Sequence, residues 1–271
     1  MHVIVVTGYS RGLGLALVED MQRRRQAGRL PSTFVFVGRR EPAEASLAEG
    51  DVFVRWDLGA PLSEEVTDQV RGGVAPHVVH GGRMVLVYAA GVLGPMGPQV
   101  TPSSHAAANG REFVGAMNVN AVNFALLSGV VEELIPDTGA SGLVFHLSSG
   151  AALRPYSELA AYCASKAAAL MYARCLATRH EPSRICVLSV APGTVRTDMT
   201  VSLAHSDPEQ WPGLQKFRDL DRTGGLVPPG PVASQLVSLM LDDESRAWRE
   251  RAHGRFYDLR KPDGMDDINA E

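Results

Sequence analysis

Cysteine is scarce: Cys163, Cys175 and Cys186 are the only three, and they form neither a Cys-x-x-Cys pair nor a Cys/His grouping with metal-ligand spacing. So small and odd a number excludes a disulfide framework, and the thiols read as reduced, in a cytoplasmic protein with no metal site. Lysine is equally scarce. Of 26 basic residues only Lys166, Lys216 and Lys261 are lysines, so a lysine inside a motif is not generic surface charge. A basic excess is missing too. The formal charge of −4 supplies no field for a phosphate backbone, which disfavours a nucleic-acid partner. No window offers the ~18 to 20 continuous apolar residues of a membrane span. The opening Met-His-Val-Ile-Val-Val-Thr-Gly lacks a basic leader and a cleavage site, and reads as a strand rather than a signal peptide. What remains is a 271-residue chain, 45% hydrophobic and 21% charged, long enough to bury roughly three quarters of its unfolded surface in one core. One domain spanning 1–271, working on a small molecule, is the expectation.

Short β-branched runs alternate with segments of helical periodicity along the chain. Val3–Val6, Thr33–Val37, Val52–Trp56, Met84–Tyr88, Leu143–Leu147 and Ile185–Val190 are strands; Leu13–Gln26, Ser63–Arg71, Arg111–Leu134, Glu158–Arg179 and Pro231–Leu241 are helices. Strands separated by helices must pair in parallel through right-handed crossovers, which yields a doubly wound α/β sheet of the Rossmann type. Two segments break the rhythm, Gly94–Gly110 and Ser202–Pro231, both rich in residues that disfavour regular structure. The second, residues 202–231, follows the sixth strand, where an open sheet keeps its ligand crevice, and is expected to be a substrate lid.

Directly after the first strand comes Thr7-Gly8-Tyr9-Ser10-Arg11-Gly12-Leu13-Gly14, and then a helix. Glycines at this spacing let the backbone approach a pyrophosphate, whose charge is favoured at the helix N-terminus. An NAD site normally has an acidic residue at the end of the second strand; here the chain reads Val37-Gly38-Arg39-Arg40. A guanidinium there can grip a 2′-phosphate, with Arg11 reaching it from the other side, so the expected cofactor is NADPH/NADP+.

After the fifth strand stands Leu147-Ser148-Ser149-Gly150, and thirteen residues beyond Ser149 comes Tyr162-Cys163-Ala164-Ser165-Lys166. Tyrosine and lysine at i and i+4 share one helix face. A cation beside a phenol favours the phenolate and brings the group closer to working pH. Ala191-Pro192-Gly193 follows the sixth strand.

Together these motifs resemble the short-chain dehydrogenase/reductase family, from Thr7 to about Thr197. The resemblance implies that Tyr162 is the general acid, that Lys166 holds the nicotinamide ribose and lowers the tyrosine pKa, and that Ser149 orients the substrate carbonyl. It puts the family's catalytic asparagine on Asn120, with Asn118 and Asn123 close enough to leave the register open. It also implies that Asp57 and Leu58 contact the adenine, that Val195 and Thr197 hold the carboxamide and phosphates, and that two helices pair into a homodimer. One departure is Tyr88-Ala89-Ala90-Gly91 after the fourth strand, where the family usually has Asn-Asn-Ala-Gly; Ala90 and Gly91 still suit the turn against the cofactor, but the bracing amides are gone.

The tail, including Gly213–Phe217 and His253-Gly254-Arg255-Phe256-Tyr257-Asp258, resembles the sepiapterin reductase branch of the family. That implies reduction of a pterin side-chain ketone, with Asp258 accepting the parallel donors of the pterin ring. Two alternatives stand beside it: the same chemistry on a vicinal diketone such as benzil, and an NADP-binding regulator without turnover. The intact Ser149, Tyr162 and Lys166 argue against the regulator.

Overall fold

The computed structural model describes residues 1–43, 47–61, 63–97 and 106–261. Residues 98–105, within the irregular segment Gly94–Gly110, lie outside the described residues. Seven strands are found among the described residues: β1 (His2–Thr7), β2 (Ser32–Gly38), β3 (Val52–Arg55), β4 (Arg83–Tyr88), β5 (Ser141–Leu147), β6 (Ile185–Ala191) and β7 (Phe256–Asp258). They form one sheet in the order β3-β2-β1-β4-β5-β6-β7, every pair parallel. The doubly wound fold expected from the alternating pattern is the one observed.

The period-2 alternation of each strand feeds two cores. Val3 and Val5 of β1, with Val35 and Val37 of β2, pack beneath α2 (Glu64–Val74), α4 (Asn123–Thr138) and α5 (Ala160–Ala177). Their neighbours Ile4, Val6, Phe34 and Phe36 face the other way, onto α1 (Gly12–Gln26) and α8 (Pro229–Leu241). Both faces being covered is why the strands are apolar on alternate residues of either parity. Phe145 of β5 is fully buried, and truncating such a ring to alanine costs about 3–5 kcal/mol.

Chain order reverses at β1. Crossovers through β2 and β3 run one way and those through β4 to β7 the other, which leaves a crevice at the carboxyl ends of β1 and β4.

Three elements differ from expectation. The single helix expected over Arg111–Leu134 is α3 (Ala106–Met117), a π-helical turn at Asn118–Val122, and α4. The Asn123 N–H reaches back five residues to the Asn118 carbonyl, so the turn holds an extra residue and the asparagines along it are re-aimed. Ser202–Pro231 is not irregular: it holds the end of α6 (Asp198–Ala204), a 3₁₀ turn at Pro212–Leu214, α7 (Gln215–Arg222) and the start of α8. Proline and paired glycine punctuate that segment between short helices rather than preventing them. Finally, one helical stretch, Gly110–Ile135, is by length and composition apolar enough to cross a membrane, though its apolar residues are not continuous; half of its most apolar window is buried, with Phe124, Leu127 and Val131 in the core under the sheet. A short helix, α9 (Arg246–Ala252), leads into β7.

Candidate active site

A cleft of about 660 Å³ opens at the carboxyl ends of β1, β4, β5 and β6, within the size range of small-molecule sites. Its first bank is the turn between β1 and α1. Gly8 has φ +69°, and a Cβ on it would lie 2.5 Å from the Ala90 nitrogen; a Cβ on Gly14 would lie 2.1 Å from the Gly8 carbonyl oxygen. Only glycine lets β1, α1 and the chain after β4 come this close. Thr7 replaces part of the missing family amides: its hydroxyl accepts from the Ala90 N–H at 3.3 Å. On the far bank, Gly12 faces the Thr197 methyl, the nearest approach from a Cβ being 3.3 Å. Thr197 itself caps α6.

Arginines frame one end. Arg40 donates to the Ser10 hydroxyl at 3.5 Å, and its carbonyl accepts from the Tyr9 hydroxyl. Arg39 lies 4.0 Å from Asp57 with its side chain largely exposed, and Arg11 lies 3.7 Å from Asp198. These long, solvated pairs hold the guanidiniums weakly. Asp57 also accepts from the Gly59 N–H at 3.0 Å.

The other end carries the acid-base groups. Ser149 lies just past β5, where its hydroxyl accepts from the Ala151 N–H at 3.2 Å. Tyr162 and Lys166 sit one turn apart on α5, the ammonium 5.9 Å from the centre of the phenol ring and donating to the Leu147 carbonyl at 2.8 Å. Burial pushes the Tyr162 phenol up to about 12, with a hydrogen bond to Ser149 pulling the other way. Burial holds Lys166 down at about 8. Desolvation outweighs the Ser149 hydrogen bond, so the Tyr162 phenol is protonated at neutral pH.

All three asparagines have hydrogen-bond partners, and those partners differ. Asn118 donates to the Gly59 carbonyl at 2.9 Å and Asn123 to the Leu58 and Ala60 carbonyls at 2.7 and 3.1 Å, so both brace the turn after β3. Asn120 is fully buried and exchanges hydrogen bonds with Val92, 2.9 and 2.8 Å, while donating to the Ser165 hydroxyl at 2.8 Å. It stands behind Gly91 near the Lys166 ammonium rather than on the cleft wall.

Every residue expected at the cofactor lines this one cleft: Gly8, Ser10 to Gly14, Arg39, Arg40, Asp57, Leu58, Ala90, Gly91, Tyr162, Lys166, Pro192, Gly193, Val195 and Thr197. Ser149 lines it as well, whereas Asp258 does not. Instead of offering a free carboxylate to substrate, Asp258 is 4% exposed and clamped by Arg260, whose Nε and Nη2 donate to it at 2.9 and 2.6 Å. That pair holds the Asp258 carboxyl below the usual carboxylate range. The residue on the cleft wall is Arg260, for which the sequence held no signal beyond its place two residues after Asp258.

Residues 202–231 supply Leu203, Lys216 and Phe217 to the same wall. The segment is tied to the start of the catalytic helix by Glu158, which accepts from the Gly213 N–H at 2.8 Å and the Ser157 hydroxyl at 2.6 Å. Nothing in the sequence marks Glu158 and Gly213 as partners, since the bond spans a separation that no local pattern records.

The chain matches the family model for short chain dehydrogenase over residues 2–208. It is 31% identical to a sepiapterin reductase of Xenopus laevis over 265 residues, covering 94% of this chain and 95% of the relative. It is 25% identical to a benzil reductase ((S)-benzoin forming) of Bacillus cereus over 252 residues, covering 90% and 96%. Among solved structures, the KRED1-Pglu enzyme superposes with a TM-score of 0.71 at 27% identity, covering 94% of this chain and all of that one.

Proposed function

The chain belongs to the short-chain dehydrogenase/reductase family, and from that premise we infer an NADPH-dependent carbonyl reductase with Tyr162 as general acid. The observation that carries this reading is one cleft with Ser149, Tyr162 and Lys166 at one end and Arg11, Arg39 and Arg40 at the other. The backbone approach allowed by Gly8 and Gly14 fits a dinucleotide pyrophosphate at the start of α1. Bound NADPH would supply the hydride. Tyr162 donates its proton to the carbonyl oxygen, and Ser149, already hydrogen-bonded to that phenol, steadies the oxygen as its charge develops. Lys166 restores positive charge beside the phenol as its proton leaves, and Asn120 keeps the floor under the lysine rigid through Val92 and Ser165.

Relatives of both substrate types are similar to this chain, a pterin reductase and a diketone reductase. The clamp of Arg260 on Asp258 favours the diketone type, because the carboxylate that a pterin ring would need is already engaged. Tyr156 and Phe217, their rings 6.3 Å apart and tilted by 44° to each other, add an aromatic corner to the cleft against which an aryl ketone can pack. The test is NADPH oxidation against benzil, sepiapterin and simple aldehydes: benzil is expected to be the best substrate of these three, and inactivity toward every carbonyl would overturn the reading. The cofactor preference is part of the same assay. Losing the 2′-phosphate leaves Arg39 with only its long, exposed pair to Asp57, so NADPH is expected to be favoured over NADH by at least about tenfold, or ~1.4 kcal/mol. Arg39→Asp is expected to shift the preference toward NADH, and equal use of both cofactors by the wild type would remove the phosphate assignment.

A homodimer belongs to the same proposal. Val114, Val122 and Leu126 on α3 to α4 and Met171 on α5 are exposed large apolar side chains on adjacent helices, the kind of patch that a monomer rarely leaves in water. Light scattering at micromolar concentration is expected to return twice the chain mass of 29.0 kDa; the monomer mass would count against it. The three free thiols suit a reducing, cytoplasmic setting.

A further inference from the structure

We propose that Arg260 selects the substrate: its guanidinium takes a carboxylate carried by the carbonyl compound, so the preferred substrate is an anionic aryl ketone. The proposal rests on the carbonyl-reductase reading of the same cleft and narrows its substrate class.

The stem of Arg260 lies across the turn after β6. A Cβ on Gly193 would sit 2.8 Å from its Cδ and 3.0 Å from its Cγ, and Gly193 has φ +85°, so glycine alone leaves room for it there. The head is fixed from behind by Asp258 through Nε and Nη2, and the Arg260 backbone N–H donates to the same carboxylate at 3.1 Å. A guanidinium carries five N–H donors, of which that clamp takes two. Nη1 and the second hydrogen of Nη2 form the remaining outer edge, on a side chain 48% exposed in the cleft wall. That edge has the spacing to meet a planar carboxylate through two parallel bonds. Because Asp258 already immobilises the fork, little side-chain entropy is left to lose when an anion docks.

The net charge of the Asp258–Arg260 pair is zero, so the pair offers directed donors rather than a field. The field comes from Lys216 on α7, which lines the same cleft and has no ion-pair partner among the described residues; of the carboxylates lining the cleft among the described residues, Asp57 and Asp198 face Arg39 and Arg11, which leaves Glu112 of α3. The tilted aromatic pair of Tyr156 and Phe217 lines the same cleft as the fork, and Tyr156 is close enough to Arg260 to act on its charge. An aromatic group carrying a carboxylate matches both surfaces at once.

The test is calorimetric titration of benzoate and benzamide, matched in size and differing in charge, into the full chain with and without saturating NADP+. Benzoate is expected to bind at least about tenfold tighter than benzamide, a difference of ~1.4 kcal/mol. In Asp258→Asn/Arg260→Gln, which removes fork and counter-charge together and leaves no buried carboxylate unpaired, the two affinities are expected to converge, with circular dichroism checking the fold. Arg260→Lys keeps the charge but not the fork, and should fall between. Equal affinities in the wild type, no binding of either ligand, or a preference that survives the double substitution would each overturn the proposal. So would a loss of NADP+ affinity in the variant with the benzoate preference intact, which would put Arg260 in the cofactor site. The titration does not depend on turnover, so inactivity toward benzil would remove the reductase reading while leaving the benzoate result to stand or fall separately.

Discussion

Tyr162→Phe is expected to lower kcat for ketone reduction by at least ~10², the lower end of what general acid catalysis contributes, with NADPH affinity nearly unchanged. The substitution deletes one hydroxyl and keeps the ring in its place on α5, so packing is preserved and only the proton donor goes. Two features make this hydroxyl the donor rather than a bystander. Its pKa is held up at about 12 by burial, so it is protonated wherever the enzyme works, and its hydrogen bond to Ser149 aims it at the oxygen that Ser149 would hold. The Lys166 ammonium, 5.9 Å from the ring centre, stands ready to stabilise the phenolate that remains after transfer. Steady-state kinetics with benzil, paired with fluorescence titration of NADPH, separates the two quantities. Turnover near the wild-type value would move the acid elsewhere.

Gly14→Ala is expected to cost about 2–3 kcal/mol, the upper part of the range for overpacking a close-packed site, read as a fall in stability, in NADPH affinity, or divided between them. The added methyl would lie 2.1 Å from the Gly8 carbonyl oxygen and 2.8 Å from its carbon, both backbone atoms that no side-chain rotation can clear. The turn must open, which withdraws the first N–H groups of α1 from the position of the pyrophosphate. Gly72→Ala is the matched control. Gly72 lies inside α2, and a Cβ on it would meet nothing within 4 Å, so the gain in helix propensity should stabilise the chain by up to about 1 kcal/mol. If Gly14→Ala binds NADPH as the wild type does, with an unchanged melting temperature, the close approach of turn and helix is not what holds the cofactor.

What the sequence determined by itself was whatever is recorded over short spans. The β-branched runs at Val3–Val6 or Thr33–Val37 announce strands because their period and branching act within a few residues. Tyr162 and Lys166 announce a shared helix face because four residues make about one turn. The glycines at 8, 12 and 14 announce a close backbone approach because no other residue type permits it. From these, the doubly wound sheet was legible, as was the set of residues that come together around one cleft. The tertiary structure decided what depends on direction and on distant partners. Which of Asn118, Asn120 and Asn123 faces Lys166 is set by one extra residue in a π turn, and a hydrophobic period carries no trace of it. The helices within 202–231 are held by long-range contacts such as Gly213 to Glu158, which override the local discouragement of proline and glycine. Asp258 arrives at the carboxyl end of β7, yet whether its carboxylate meets a ligand or a neighbour depends on how the next two residues turn. They turn back, and the charge that reaches the cleft is that of Arg260.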